Sequence, residues 1–154
     1  MFAEVPPDLS GAFVITSSGG LVTPDTLVTL ERLRQISCGT IDPADGRYRL
    51  PLERDATVLL HAAGRDCEIV LLGSIATPKY VDPLLGIFGE QLVFPEEFVG
   101  RGDMSRGGLL LRCVQSRAQL SYIPVLEATR RGRRPPKLQP LPRKPHPVSL
   151  RPGS

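Results

Sequence analysis

The change of composition at Thr129 constrains this 154-residue chain more than any other feature. The 26 residues from Thr129 to Ser154 hold eight Lys or Arg, seven prolines and no acid. A segment of that kind buries too little apolar surface to offset its chain entropy. It predicts a disordered, basic, Pro-rich tail and confines folding to residues 1–128. The charge divides at the same point. The whole chain is formally +3, with the tail at +8 and residues 1–128 at −5, from eleven Lys or Arg against sixteen Asp or Glu.

The body has the length of one ordinary domain, and 41% hydrophobic residues over the chain allow a core. Ala12–Ile15 is a short apolar run stopped by the Ser/Gly turn Thr16–Gly20. Thr23-Pro24-Asp25 then opens a helix by its residue types: a hydroxyl cap, a proline suited to the first helical position, and an acid at the positive end. Leu27, Leu30, Leu33 and Ile36 form its apolar stripe, and Ser37–Gly39 ends it. Asp42-Pro43, Asp45-Gly46 and Leu50-Pro51 mark 40–54 as loop, with room for a short strand at Tyr48–Leu50. Thr57–Ala63 fits a strand or a short helix, with His61 set among apolar neighbours.

Glu68–Leu72 reads as a central parallel strand, because a continuous β-branched and leucine run is buried on both faces. Gly73-Ser74 turns the chain and Thr77-Pro78 starts a second helix, shortened or kinked by Pro83 and closed by Gly89. Residues 13–30 and 69–85 thus share one order: strand, Gly/Ser turn, Thr-Pro, apolar helix. Gln91–Phe94 reads as a third strand, 96–108 as loop or short helix plus loop, and Leu109–Val114 with Leu120–Val125 as a hairpin. The fold class expected is α/β, a small mainly parallel or mixed sheet with few flanking helices. Two helices leave sheet faces that a homodimer, or a further part of a longer protein, would cover.

Cys38, Cys67 and Cys113 are an odd number at spacings that fit neither a zinc site nor a disulfide framework. Cys67 and Cys113 read as small buried hydrophobes. No apolar run approaches the roughly 18 residues of a membrane span, and no signal-peptide pattern opens the chain. The expected setting is a reducing, cytoplasmic one without a membrane partner.

Two stretches suit an anion. In the first, Gly100, Gly102, Gly107 and Gly108 open the backbone to a ligand around Arg101, Asp103, Ser105 and Arg106. The guanidinium forks fit a phosphate or carboxylate, the Ser105 hydroxyl adds a donor, and Asp103 holds one arginine in place, orients a ligand or acts as a base. In the second, Gly73, Ser74, Thr77 and Lys79 lie where a strand runs into a helix, the position that lines ligand crevices in α/β sheets. Neither stretch carries GxxxxGK[ST] or GxGxxG, and no metal or cofactor motif is present. A nucleotide-, nucleoside- or phosphate-ligand domain is therefore expected, as a binding domain or as a metal-independent transferase or hydrolase. The alternative partner is nucleic acid, met without sequence preference by Arg130, Arg131, Arg133, Arg134 and Lys137. A protein-interaction module is the third reading.

Overall fold

The structure, a computed structural model, describes residues 3–140. The expected disordered tail therefore divides: 129–140 are described and carry no helix or strand, while 141–154 lie outside the described residues.

The chain begins with a hairpin, not with a strand feeding a helix. β1 (Val14–Ile15) pairs antiparallel with β2 (Leu21–Val22) across the Ser/Gly turn. The Thr16 hydroxyl holds that turn, donating to Gly20 O at 3.2 Å and accepting from Gly19 N at 2.9 Å. Thr23-Pro24-Asp25-Thr26 is then consumed by a turn, with Thr26 N donating to Thr23 O. α1 (Leu30–Cys38) starts one threonine later, where Thr29 caps it by accepting from Arg32 N at 3.2 Å. The expected apolar stripe buries nothing: Leu27, Leu30 and Leu33 are all exposed.

α2 (Gly46–Ala63) replaces the loop expected over 40–54 and absorbs Thr57–Ala63. Asp45-Gly46 is its start, not a break, because the Asp45 carboxylate accepts from Arg47 N at 2.9 Å. Tyr48, Leu52 and Ala56 follow at a spacing of four and are completely buried. Pro51 costs the helix one hydrogen bond and about 3 kcal/mol. Burying Tyr48 and Leu52, at about 1.5–3 kcal/mol for each large side chain, offsets that cost. His61 belongs to this helix and is exposed.

The three-stranded sheet has the order β3-β4-β5 and is mixed. β3 (Ile69–Val70) runs parallel to β4 (Leu92–Pro95), and β5 (Tyr122–Pro124) runs antiparallel to it. The expected central strand is thus at an edge; Val70 and Leu72 are exposed, and β4 is the strand buried at every position. α3 (Pro78–Phe88) makes the crossover between the parallel strands and starts at Thr77-Pro78 as the residue types predict. It continues through Pro83, which is buried with Val81, Leu84 and Phe88, and ends at Gly89 with φ +54°. The core lies between α2, α3 and the sheet, with Tyr48, Leu52, Val81, Phe88, Leu92 and Phe94 at its centre.

Leu109–Val114 is not a strand but part of α4 (Asp103–Ser116), so Leu120–Val125 pairs through β5 with β4 instead. No described helix is long and apolar enough to cross a membrane.

Candidate functional site

The end of β3 and the start of α4 are brought together. Gly73–Ala76, at the entry to α3, and Phe98–Gly102, at the entry to α4, line one cavity of about 260 Å³. Arg106 closes it from the first turns of α4, and Arg130–Gly132 supply a further wall. Gly73, Ser74, Gly100, Arg101, Gly102 and Arg106 of the expected site therefore face a common space. Thr77, Lys79, Asp103, Ser105 and Gly107 do not line it.

The glycine-rich run is a loop only as far as Gly102. Gly100 sits at φ +71°, and a Cβ there would collide with the Arg133 carbonyl. Both facts demand glycine. A Cβ on Gly132 would in turn strike the Val99 side chain, so two glycines let residues 99–100 and 132–133 pass backbone against backbone. Gly107 and Gly108, by contrast, lie inside a helix.

Arg101 of the loop and Arg106 of α4 are both anchored by hydrogen bonds. Arg101 donates from Nε to Glu97 O at 2.8 Å and from Nη1 to the Ser105 hydroxyl at 3.3 Å. Its Nη2 makes no hydrogen bond among the described residues. Arg106 donates from Nη1 to Arg101 O at 2.6 Å, and its Nη2 meets the Asp103 carboxylate. The Arg106 side chain is largely buried, with its guanidinium 6.0 Å from the centre of the Phe98 ring. Asp103 itself is 94% exposed, so its observed task is to pair with Arg106 outside the cavity.

The cavity's other two cations come from the basic segment. Arg130 reaches Asp82 of α3 at 3.4 Å, and Arg131 has no acidic partner among the described residues. Among the described residues four arginines thus line the cavity, and no acid does. Two helices begin at its rim, and neither Thr77 nor Gly102 makes a side-chain cap, so backbone N–H groups add to the positive field. Ser74 offers its hydroxyl, which already accepts from Ala76 N at 3.3 Å. What such a lining does chemically is bind and orient an anion.

Arg130 and Arg131, which the sequence places in a separate basic tail, line the cavity of the body. Gly132 inside an Arg-rich run was the one available sign of close packing there. Beyond it the chain lies along α4: Arg101 Nη1 donates to Pro136 O at 3.5 Å, Arg112 Nη2 meets Gln139 O, and Leu138 sits over Gly108. Of the three cysteines, Cys113 is buried, Cys67 partly so and Cys38 exposed. Among the described residues no group of three or more His, Cys, Asp or Glu stands ready to hold a metal ion. Comparison of the chain with models of known protein families, with curated proteins and with solved structures finds no match.

Proposed function

We propose that the protein binds a small phosphate-bearing ligand of the nucleotide or nucleoside phosphate class in this cavity. The observation that carries the reading is the set of four arginines, Arg101, Arg106, Arg130 and Arg131, around a concave space with no acid in its lining. Charge-assisted hydrogen bonds from guanidinium groups are the strong ones, and phosphate geometry matches their fork. The volume falls just below the roughly 300–1,000 Å³ of clefts that enclose a drug-sized ligand. It therefore suits a phosphate group, with the remainder of the ligand projecting outward. Asp103, the group best suited to act as a base, points to solvent, which favours binding over catalysis.

Thermal unfolding of the full chain with phosphate, sulfate and a series of nucleotides tests the reading. A ligand at about 100 times its dissociation constant adds about 2.7 kcal/mol of stability, which raises the midpoint by several degrees. Arg131→Ala removes a cation that makes no side-chain bond among the described residues and is expected to weaken binding about tenfold or more, the loss of one charge-assisted contact. If no anion moves the midpoint, the proposal fails.

A further inference from the structure

The cavity does not end at Arg101. A second, more open groove of about 640 Å³ adjoins it, sharing Arg101 and Gly102, and runs between α4 and residues 134–140. Its cations are Arg101, Arg112, Arg134 and Lys137, and its one acid, Asp103, is already engaged by Arg106. Arg134 and Lys137 are exposed and make no side-chain hydrogen bond or ion pair among the described residues. Cavity and groove together present seven Arg or Lys along one connected path.

We propose that this path takes the phosphorylated end of a single-stranded nucleic acid. The terminal phosphate sits in the four-arginine cavity, and the following nucleotides leave along the α4 groove. The proposal rests on the anion-binding reading of the cavity and names its ligand class.

Three features select this ligand. A cavity of about 260 Å³ walled by Phe98–Gly102 on one side and Arg130–Gly132 on another has room for a terminal phosphate, whereas the internal phosphates of a duplex lie along a rigid convex rod that does not match it. The groove that follows suits a flexible single strand. The groove then adds separate cations, which a single phosphate would leave unused. It also adds apolar surface from Met104, which is 91% exposed, and from Pro135, Pro136 and Leu138. Sugars and bases have faces to lay on such surface, and a bare polyphosphate chain has none. Among the described residues no aromatic side chain lines the groove, so affinity comes from phosphate contacts more than from stacking, and it depends strongly on salt.

The test is fluorescence anisotropy of the full chain with a short oligothymidylate carrying a 5′-phosphate, a 3′-phosphate or neither, over a salt series. One phosphorylated end is expected to bind at least about tenfold tighter than the unphosphorylated strand. The log–log salt slope is expected to be about −0.7 per phosphate neutralised. Arg134→Ala/Lys137→Ala, confined to exposed groove residues, is expected to flatten that slope by about 1.4. Equal binding of all three strands, or an unchanged slope in the double variant, overturns the proposal. So does inorganic polyphosphate binding as tightly as the phosphorylated strand. If inorganic phosphate stabilises the protein while the strands do not bind, this inference falls and the small-ligand reading stands. If neither inorganic phosphate nor any nucleotide stabilises the protein either, both fall.

Discussion

The least expected residue in α3 is Pro83, and its consequence is visible one turn back. A proline has no N–H for the carbonyl four residues earlier, here that of Lys79. The Tyr48 hydroxyl, arriving from α2, donates to Lys79 O at 2.9 Å and fills that gap. A proline in one helix and a tyrosine in another thus form a single hydrogen-bonding unit, which accounts for a completely buried phenol in the core. Tyr48→Phe is expected to cost about 1–3 kcal/mol by leaving the carbonyl unsatisfied. The cost should shrink in a Pro83→Ala background, where the helix regains its own donor; urea unfolding of the two single variants and the double variant measures the coupling. The same burial, with the nearby Tyr80 phenol adding to it, pushes the Tyr48 phenol up to about 12. An unfolded tyrosine titrates near 10, so the native state keeps a proton that the unfolded chain gives up. Its contribution is complete below about pH 10 and is lost as the pH rises towards about 12. That part of the alkaline fall in stability is expected to be missing from Tyr48→Phe.

α4 is the element in which glycine misleads. Gly107 and Gly108 each weaken a helix by about 1 kcal/mol relative to alanine, and with Gly100 and Gly102 they make 100–108 look like one long loop. The helix forms because its inner face has core to meet: Leu109 and Leu110 pack against the central cluster, and Cys113 is buried. Gly108 also lets Leu138 lie close, but no atom of the described residues lies within 4 Å of where a Cβ on Gly107 would be. Gly107→Ala is therefore expected to raise stability by about 0.5–1 kcal/mol, read by urea unfolding, whereas a loss would place that residue outside a helix. The same competition explains which elements were legible in the sequence. Thr77-Pro78 and Gly89 bound α3 as their chemistry dictates, because no stronger force opposes them. Asp45-Gly46 and Leu50-Pro51 gave the wrong answer for α2, since local punctuation yields to the stripe Tyr48, Leu52, Ala56. That stripe was there to be read at its spacing of four. The edge position of β3 was not, because strand order depends on contacts far apart in sequence. For the site, the residue types at Gly73-Ser74 and Gly100–Arg106 were legible as anion chemistry, but their meeting in one cavity was not.

At the scale of the molecule, the basic segment behaves as part of the body's architecture for at least its first twelve residues. Residues 1–128 carry a formal −5, so attraction favours docking of a cationic segment, but the contacts are specific. Gly132 against Val99, Gly100 against Arg133, and carbonyls of Pro136 and Gln139 held by Arg101 and Arg112 fix its path. It brings Arg130 and Arg131, half of the cavity's arginines, and closes one wall. The core ends at Ala128, so a chain cut there is expected to keep its cooperative unfolding. It is also expected to lose stabilisation by phosphate, since the remaining Arg101 and Arg106 face an open surface in high dielectric, where each is worth far less. A chain ending at Pro140 keeps wall and cations, and its midpoint should rise with phosphate as the full chain's does. Comparing the three lengths by thermal unfolding at matched ionic strength separates a local site from general charge, because a merely electrostatic tail would lose its effect in proportion to the cations removed. Equal stabilisation of residues 1–128 and the full chain would mean that Arg130 and Arg131 only lie beside the ligand, and the cavity would then be a two-arginine site.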